Sequence, residues 1–128
     1  MPISATVGVL DPVAKVLFTA QAPVNSAPVA PTDAAADGVN VSHASRSVIK
    51  INASAAAAAD VPFQIWVVWE NDTEWVKIDG GDGTFPTGDT TWSTLIDCSV
   101  LSRIFVQMNM AAATAETYTP SVGVCVNK

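Results

Sequence analysis

Charge is what this sequence has least of. Only 14% of its 128 residues are charged, against roughly 25% in an ordinary soluble domain. Acids outnumber bases 12 to 6, for a formal net charge of −6. The cations (Lys15, Arg46, Lys50, Lys77, Arg103 and Lys128) stand singly. No basic cluster exists to displace counterions from phosphate, so no nucleic-acid partner is expected. Long apolar runs are missing too. The longest candidate, residues 100–115, is interrupted by Ser102, Arg103, Gln107 and Asn109, and no membrane partner is expected. The opening M-P-I-S-A-T-V-G lacks a basic n-region and a continuous apolar h-region, so no signal peptide is expected.

Histidine and cysteine are equally scarce. With one histidine, two cysteines and no C-x-x-C pair, a zinc site cannot be assembled. His43, between Ser42 and Ser45, reads as a loop histidine, and no G-x-S-x-G elbow accompanies it. Cys98 and Cys125 fall on different strand phases and are expected to be free thiols. The Asn-X-Ser/Thr triplets at Asn40, Asn52 and Asn71 are then chance features of a Ser/Thr-rich chain.

What the chain does have is β-forming sequence, most densely from Val61 to Asp79. Two runs rich in Val, Ile, Phe and Trp flank a polar Asn71-Asp72-Thr73 apex, which predicts a hairpin. A two- or four-residue loop pairs Trp69 with Val76 and Val67 with Ile78, keeping apolar residues opposite one another. A three-residue loop mixes the faces and is rejected. The other face then carries Glu70 beside Trp75 and Val68 beside Lys77, with Trp66 further along.

Around the hairpin the chain reads as short strands and links. Residues 3–9 and Val13–Ala20 are strand candidates. Gln21–Gly38 carries prolines at 23, 28 and 31 and reads as an extended connector. Ser45–Ser54 is a strand with Ile49 and Ile51 on one face, and Ala55–Ala59 is too short to nucleate a helix. Residues 79–91 hold five Gly or Pro and read as a loop. Thr91–Cys98 presents Trp92, Thr94, Ile96 and Cys98 to one side. Leu101–Met110 points Ile104, Val106, Met108 and Met110 inward, with Phe105 breaking the outward set. An Ala/Thr-rich link leads to a last strand at Ser121–Val126. Eight or nine such strands without an amphipathic helix predict an all-β, antiparallel β-sandwich of jelly-roll character. Residues 1–37 form N-terminal strands and a connector (a candidate arm), and 38–128 the sandwich core.

Asp79, Asp82 and Asp89 sit in the Gly-rich loop, with Asp72 and Glu74 at the hairpin apex. D-G-G-D-G-T lacks the ligand spacing of an EF-hand, and Asp and Gly are what turns need for their own geometry. No metal, no cofactor and no catalytic residue is expected, since no arrangement of nucleophile, base and oxyanion donors is offered. The feature needing an explanation is apolar side chains on an outward sheet face: Trp66, Val68, Trp75 and Phe105, the candidate interface. An aromatic is worth roughly 1.5–3 kcal/mol when covered. The cover is a neighbouring subunit, the chain's own residues 1–37 or a sugar ring, unless both sheet faces are core.

A small acidic all-β chain with Ala/Thr/Pro-rich links and an apolar surplus resembles the small virion proteins of tailed bacteriophages, most of all the capsid decoration (cement) proteins. The resemblance lies in overall character across the whole chain. It implies a non-enzymatic structural protein, made in the host cytoplasm and carried in the virion. Its partners would be itself, as a homotrimer or other symmetric oligomer, and the major capsid protein or another virion protein of a preformed shell. Such proteins often use an extended N-terminal arm. A carbohydrate-binding or fibre-tip domain, stacking sugars on Trp66 and Trp75, is the alternative.

Overall fold

The computed structural model describes residues 15–21, 23–25, 31, 38–42, 44–78, 80–110 and 114–126, with the backbone alone for 15–19 and 125–126. The strands are β1 (Lys15–Ala20), β2 (Val39–Asn40), β3 (Arg46–Ala53), β4 (Val61–Trp69), β5 (Val76–Lys77), β6 (Gly83–Phe85), β7 (Thr91–Asp97), β8 (Leu101–Met108) and β9 (Tyr118–Val126). Two sheets form, with order β1-β9-β3-β7 in the first and β2-β8-β4-β5 in the second, where β6 also pairs with β4. Every pairing is antiparallel. First strand lies with last, second with second-last, third with third-last. The middle of the chain folds back on itself as β4 against β5 and β6. A long hairpin rolled in this way is a jelly roll, so the all-β sandwich read from the sequence is the observed fold.

Alternation supplies the core. Along β4, Val61, Phe63, Ile65 and Val67 are buried, while Pro62 is exposed and Gln64 and Trp66 are half-buried. Ile49 and Ile51 of β3 and Ile104, Val106 and Met108 of β8 are buried with them. Aromatic rings lock the two layers. Phe63 of the second sheet meets Trp92 of the first edge-on at 4.5 Å, and Phe85 meets Tyr118 at 5.2 Å. Edge-to-face pairs of this kind add about 0.5–1.5 kcal/mol to the area they bury.

The side of the sandwich between β1 and β2 is closed by a side chain. β2 reaches only Arg103 and Ile104 of β8, which leaves the next edge position, Val106, without a strand partner. The Gln21 amide fills it: Nε2 donates to the Val106 carbonyl, while Oε1 accepts from the Val106 N–H, both at 2.9 Å. Gln21 thereby acts as one more peptide unit of the ladder, and it is buried. Its own N–H donates to the Pro120 carbonyl. A proline is tolerated in β9, which has strands on both sides, because its missing N–H faces this turn beyond the end of β1.

Several expectations change. The hairpin pairs Val67 with Val76 and Trp66 with Lys77, two residues out of the predicted register. A shift of two preserves side-chain parity, so the faces stand as predicted. The loop read at 79–91 contains β6, which pairs with the start of β4. β9 begins at Tyr118, three residues before the expected Ser121, and β2 had no forecast. β1 is paired along its length with β9, so the first sheet extends into the segment read as a candidate arm. The strand candidate at 3–9 and most of the connector at 21–38 lie outside the described residues.

Candidate functional site

The outer face of the second sheet carries the four residues singled out above. Parity puts Trp66 and Val68 on this face of β4, Phe105 across from Trp66 on β8, and Trp75 beside Val68. The structure brings them together and covers two of them. Val68 is 1% and Trp75 8% exposed within the single chain, whereas Trp66 and Phe105 are half-buried. The Phe105 ring meets Trp75 edge-on at 6.1 Å, and the Arg103 guanidinium lies 4.9 Å from the Trp75 ring centroid, a cation–π contact. Trp66 Nε1–H donates to Gln107 Oε1 at 2.9 Å.

The chain itself supplies part of the cover. Gly38, leading into β2, has φ +75°, and a Cβ there would lie 2.6 Å from the Ile104 carbonyl oxygen and 2.8 Å from Trp75 Cη2. Only a residue without a side chain lets the backbone lie against the indole while holding a left-handed conformation. Trp75 is therefore enclosed by Phe105, Arg103 and Gly38, which leaves no open ring face on which a sugar could stack.

Among the described residues, the exposed large apolar side chains are Trp69 (42% exposed), Leu95 (68%) and Val100 (52%). Strict alternation would have sent Trp69 inward with Val67. A bulge intervenes: Val68 pairs with Arg103 but Trp69 with Leu101, so Ser102 is an extra residue on β8, its hydroxyl donating to the Val68 carbonyl at 3.1 Å. Bulges re-aim side chains in this way. Leu95 was legible, because an inward Trp92, Thr94 and Ile96 puts Leu95 outward.

Four of the acidic residues beside the turns, Asp60, Asp72, Asp82 and Asp97, serve backbone, hydroxyl or lysine. Asp72 Oδ1 accepts from the N–H groups of Thr73 and Glu74, and Asp82 pairs with Lys77 at 3.3 Å. Asp60 accepts from the Thr87 N–H and hydroxyl, which hold its carboxyl below the usual range. Asp97 is lowered in the same way, by the Ser99 N–H first. Among the described residues no three His, Cys, Asp or Glu come together as a metal site; Asp79 and His43 lie outside them. One acid is buried. Glu116 accepts from the Ala58 N–H at 3.1 Å and from the Tyr118 hydroxyl at 2.9 Å. The Ala58 N–H is the first of the groups that hold its pKa below the usual carboxylate range, while burial, and then the hydrogen bond to Glu116, push the Tyr118 pKa up to about 12. Cys98 is buried and unpaired, its sulfur 3.1 Å from the Ser47 hydroxyl. The side chain of Cys125 lies outside the described residues.

Two shallow grooves accompany these features. One of about 220 Å³ lies between Pro23–Asn25 and the end of β8. The other, of about 160 Å³, lies between β7 and the Ile78–Gly81 turn. Small-molecule sites usually begin at ~300 Å³.

No family model matches the sequence, and no curated protein matches it. Among solved structures the chain is similar to the SPBc2 prophage-derived protein YomS, with a TM-score of 0.53 and 15% identity over 93% of this chain and 99% of that one. At this identity the likeness is one of fold.

Proposed function

We propose that this chain is a non-enzymatic structural protein of a phage particle, a decoration protein that binds a preformed shell as a symmetric oligomer. The observation that carries the reading is the sandwich itself, shared over nearly the whole of both chains with a prophage-derived protein. The surface supports it. A chain with 14% charged residues that leaves Trp69, Leu95 and Val100 in solvent gains by covering them in an assembly. Residues 1–14, ahead of β1, are the segment this reading assigns to particle attachment. The test is co-sedimentation of purified protein with shells that lack it. Saturable binding at a stoichiometry set by shell symmetry is expected, and removal of residues 1–14 weakens it. A chain that never pellets with shells at tens of micromolar is not a decoration protein.

A further inference from the structure

The four sheet edges are not alike. In the second sheet, β2 has two residues and its ladder is continued by the Gln21 side chain. The opposite edge is split into β5, of two residues, and β6, of three, with the Lys77–Asp82 ion pair between them. Short, interrupted or lysine-bearing edges are how proteins prevent unwanted strand pairing. In the first sheet, β1 opens on Lys15. β7 has none of these guards. It runs seven residues without interruption, T-W-S-T-L-I-D, with no Pro, Gly or Lys and one charge at its end. Such a segment pairs readily.

The register shows which atoms are open. Cys98 N–H donates to Ser45 and Ala53 N–H to the Thr90 carbonyl, so even-numbered positions of β7 turn their backbone toward β3. The N–H and C=O groups of Thr91, Ser93, Leu95 and Asp97 point away from the sheet, and among the described residues no strand meets them. Leu95, the most exposed large apolar side chain described, stands on this edge. It is directly paired with the half-buried Val48 of β3.

We propose that β7 is a homotypic interface, pairing antiparallel with β7 of a second copy about a two-fold axis through Thr94. The strand is self-complementary in this register. Thr91 lies opposite Asp97 of the second copy and Ser93 opposite its Leu95, so every open N–H and C=O finds a partner, about eight hydrogen bonds in all. The one acid at the edge meets a threonine, never its own copy. The two Leu95 side chains become diagonal neighbours, within reach of one another. The outer face then carries an apolar stripe, Val48–Leu95–Leu95–Val48, across four strands. This symmetry is isologous and joins two chains, whatever larger assembly contains them.

Thr94 faces itself across the axis at a non-hydrogen-bonded position, where Cα atoms are ~4.5 Å apart, inside the range a disulfide spans. The Thr94→Cys variant is therefore expected to form a covalent dimer under mild oxidation, above the background from Cys98 and Cys125. Leu95→Lys, at an exposed position that leaves the fold intact by circular dichroism, is expected to raise the dimer dissociation constant about tenfold or more. Val100→Lys, at an exposed site in the turn after β7 and outside the paired residues, leaves it unchanged. Sedimentation equilibrium on each variant reads the constant. Absence of the Thr94→Cys crosslink, or an Leu95→Lys dimer as tight as wild type, overturns the contact. If the protein still binds shells in that case, the proposed function stands and the strand pairing alone fails.

Discussion

Two glycines with positive φ separate conformational freedom from close packing. Gly88 has φ +86° with open space around it, whereas Gly38 at φ +75° also touches Ile104 and Trp75. An alanine in the left-handed region costs of order 1–3 kcal/mol, and Gly88→Ala should lose about that much. Gly38→Ala should lose more, because β2 must also move off the Trp75 indole. Urea unfolding of both variants, read by tryptophan emission, gives the comparison. Equal losses would mean that Gly38 does not hold Trp75 under cover. Glu116 and Tyr118 make a second pair with opposite signs. The Glu116 pKa is lowered in the fold from 4.5, so its contribution is present above that value and lost as pH falls through the folded one. Tyr118 is raised from 10.0 to about 12; stability from its neutral hydroxyl is full below 10 and drains away as pH rises toward 12. Melting temperature should therefore drop at both extremes. Tyr118→Phe should remove the part of the alkaline drop that belongs to this hydroxyl while lowering stability at neutral pH, where Glu116 loses a buried donor.

At the scale of elements, pattern was legible and edges were not. Alternation in β3, β4, β5, β7 and β8 identified the inward sets Ile49/Ile51, Val67/Val76, Trp92/Ile96 and Ile104/Val106/Met108, because parity depends only on neighbouring residues. Register depends on where a loop stops. The Val67–Val76 pairing differs from the predicted one by two residues because the left-handed Asn71 (φ 63°) and the Asp72 cap build a wider turn. Trp69 was misplaced for a non-local reason: the bulge that exposes it belongs to Ser102, more than thirty residues away. The candidate interface was legible as a cluster, yet its cover was not, since Gly38 and Arg103 reach Trp75 only through the sheet topology. Gln21 belongs here as well. No pattern marks a glutamine as the continuation of a β-ladder. Gln21→Ala should leave the buried Val106 N–H and C=O without this partner, at a cost of about 1–3 kcal/mol. Hydrogen exchange at the Val106 amide checks it. Faster exchange confined to residues near the β1–β2 side is expected, and unchanged protection would mean the amide pair adds nothing.

For the molecule as a whole, the question is where the sandwich ends and attachment begins. A boundary at residue 37, natural from the proline content of 21–38, would remove β1, the Gln21 amide and the Val24–Tyr118 bridge together. β1 is bonded to β9 over six consecutive residue pairs, from Ala20 with Ser121 to Lys15 with Val126. Without it, β9 becomes an open edge and Tyr118 loses both backbone partners at Val24. Deleting residues 1–37 should therefore lower the unfolding midpoint sharply or prevent folding, a loss of several kcal/mol in a domain whose total is typically 5–15. Deleting residues 1–14 leaves every described strand in place. That variant should keep the midpoint of the full chain while losing affinity for shells. Thermal unfolding beside co-sedimentation separates the two cases. A 1–37 deletion as stable as the full chain would show that β1 adds nothing to the sandwich. A 1–14 deletion that binds shells as well as the full chain would move particle attachment onto the sandwich, where Trp69, Leu95 and Val100 are the exposed apolar groups available to make it.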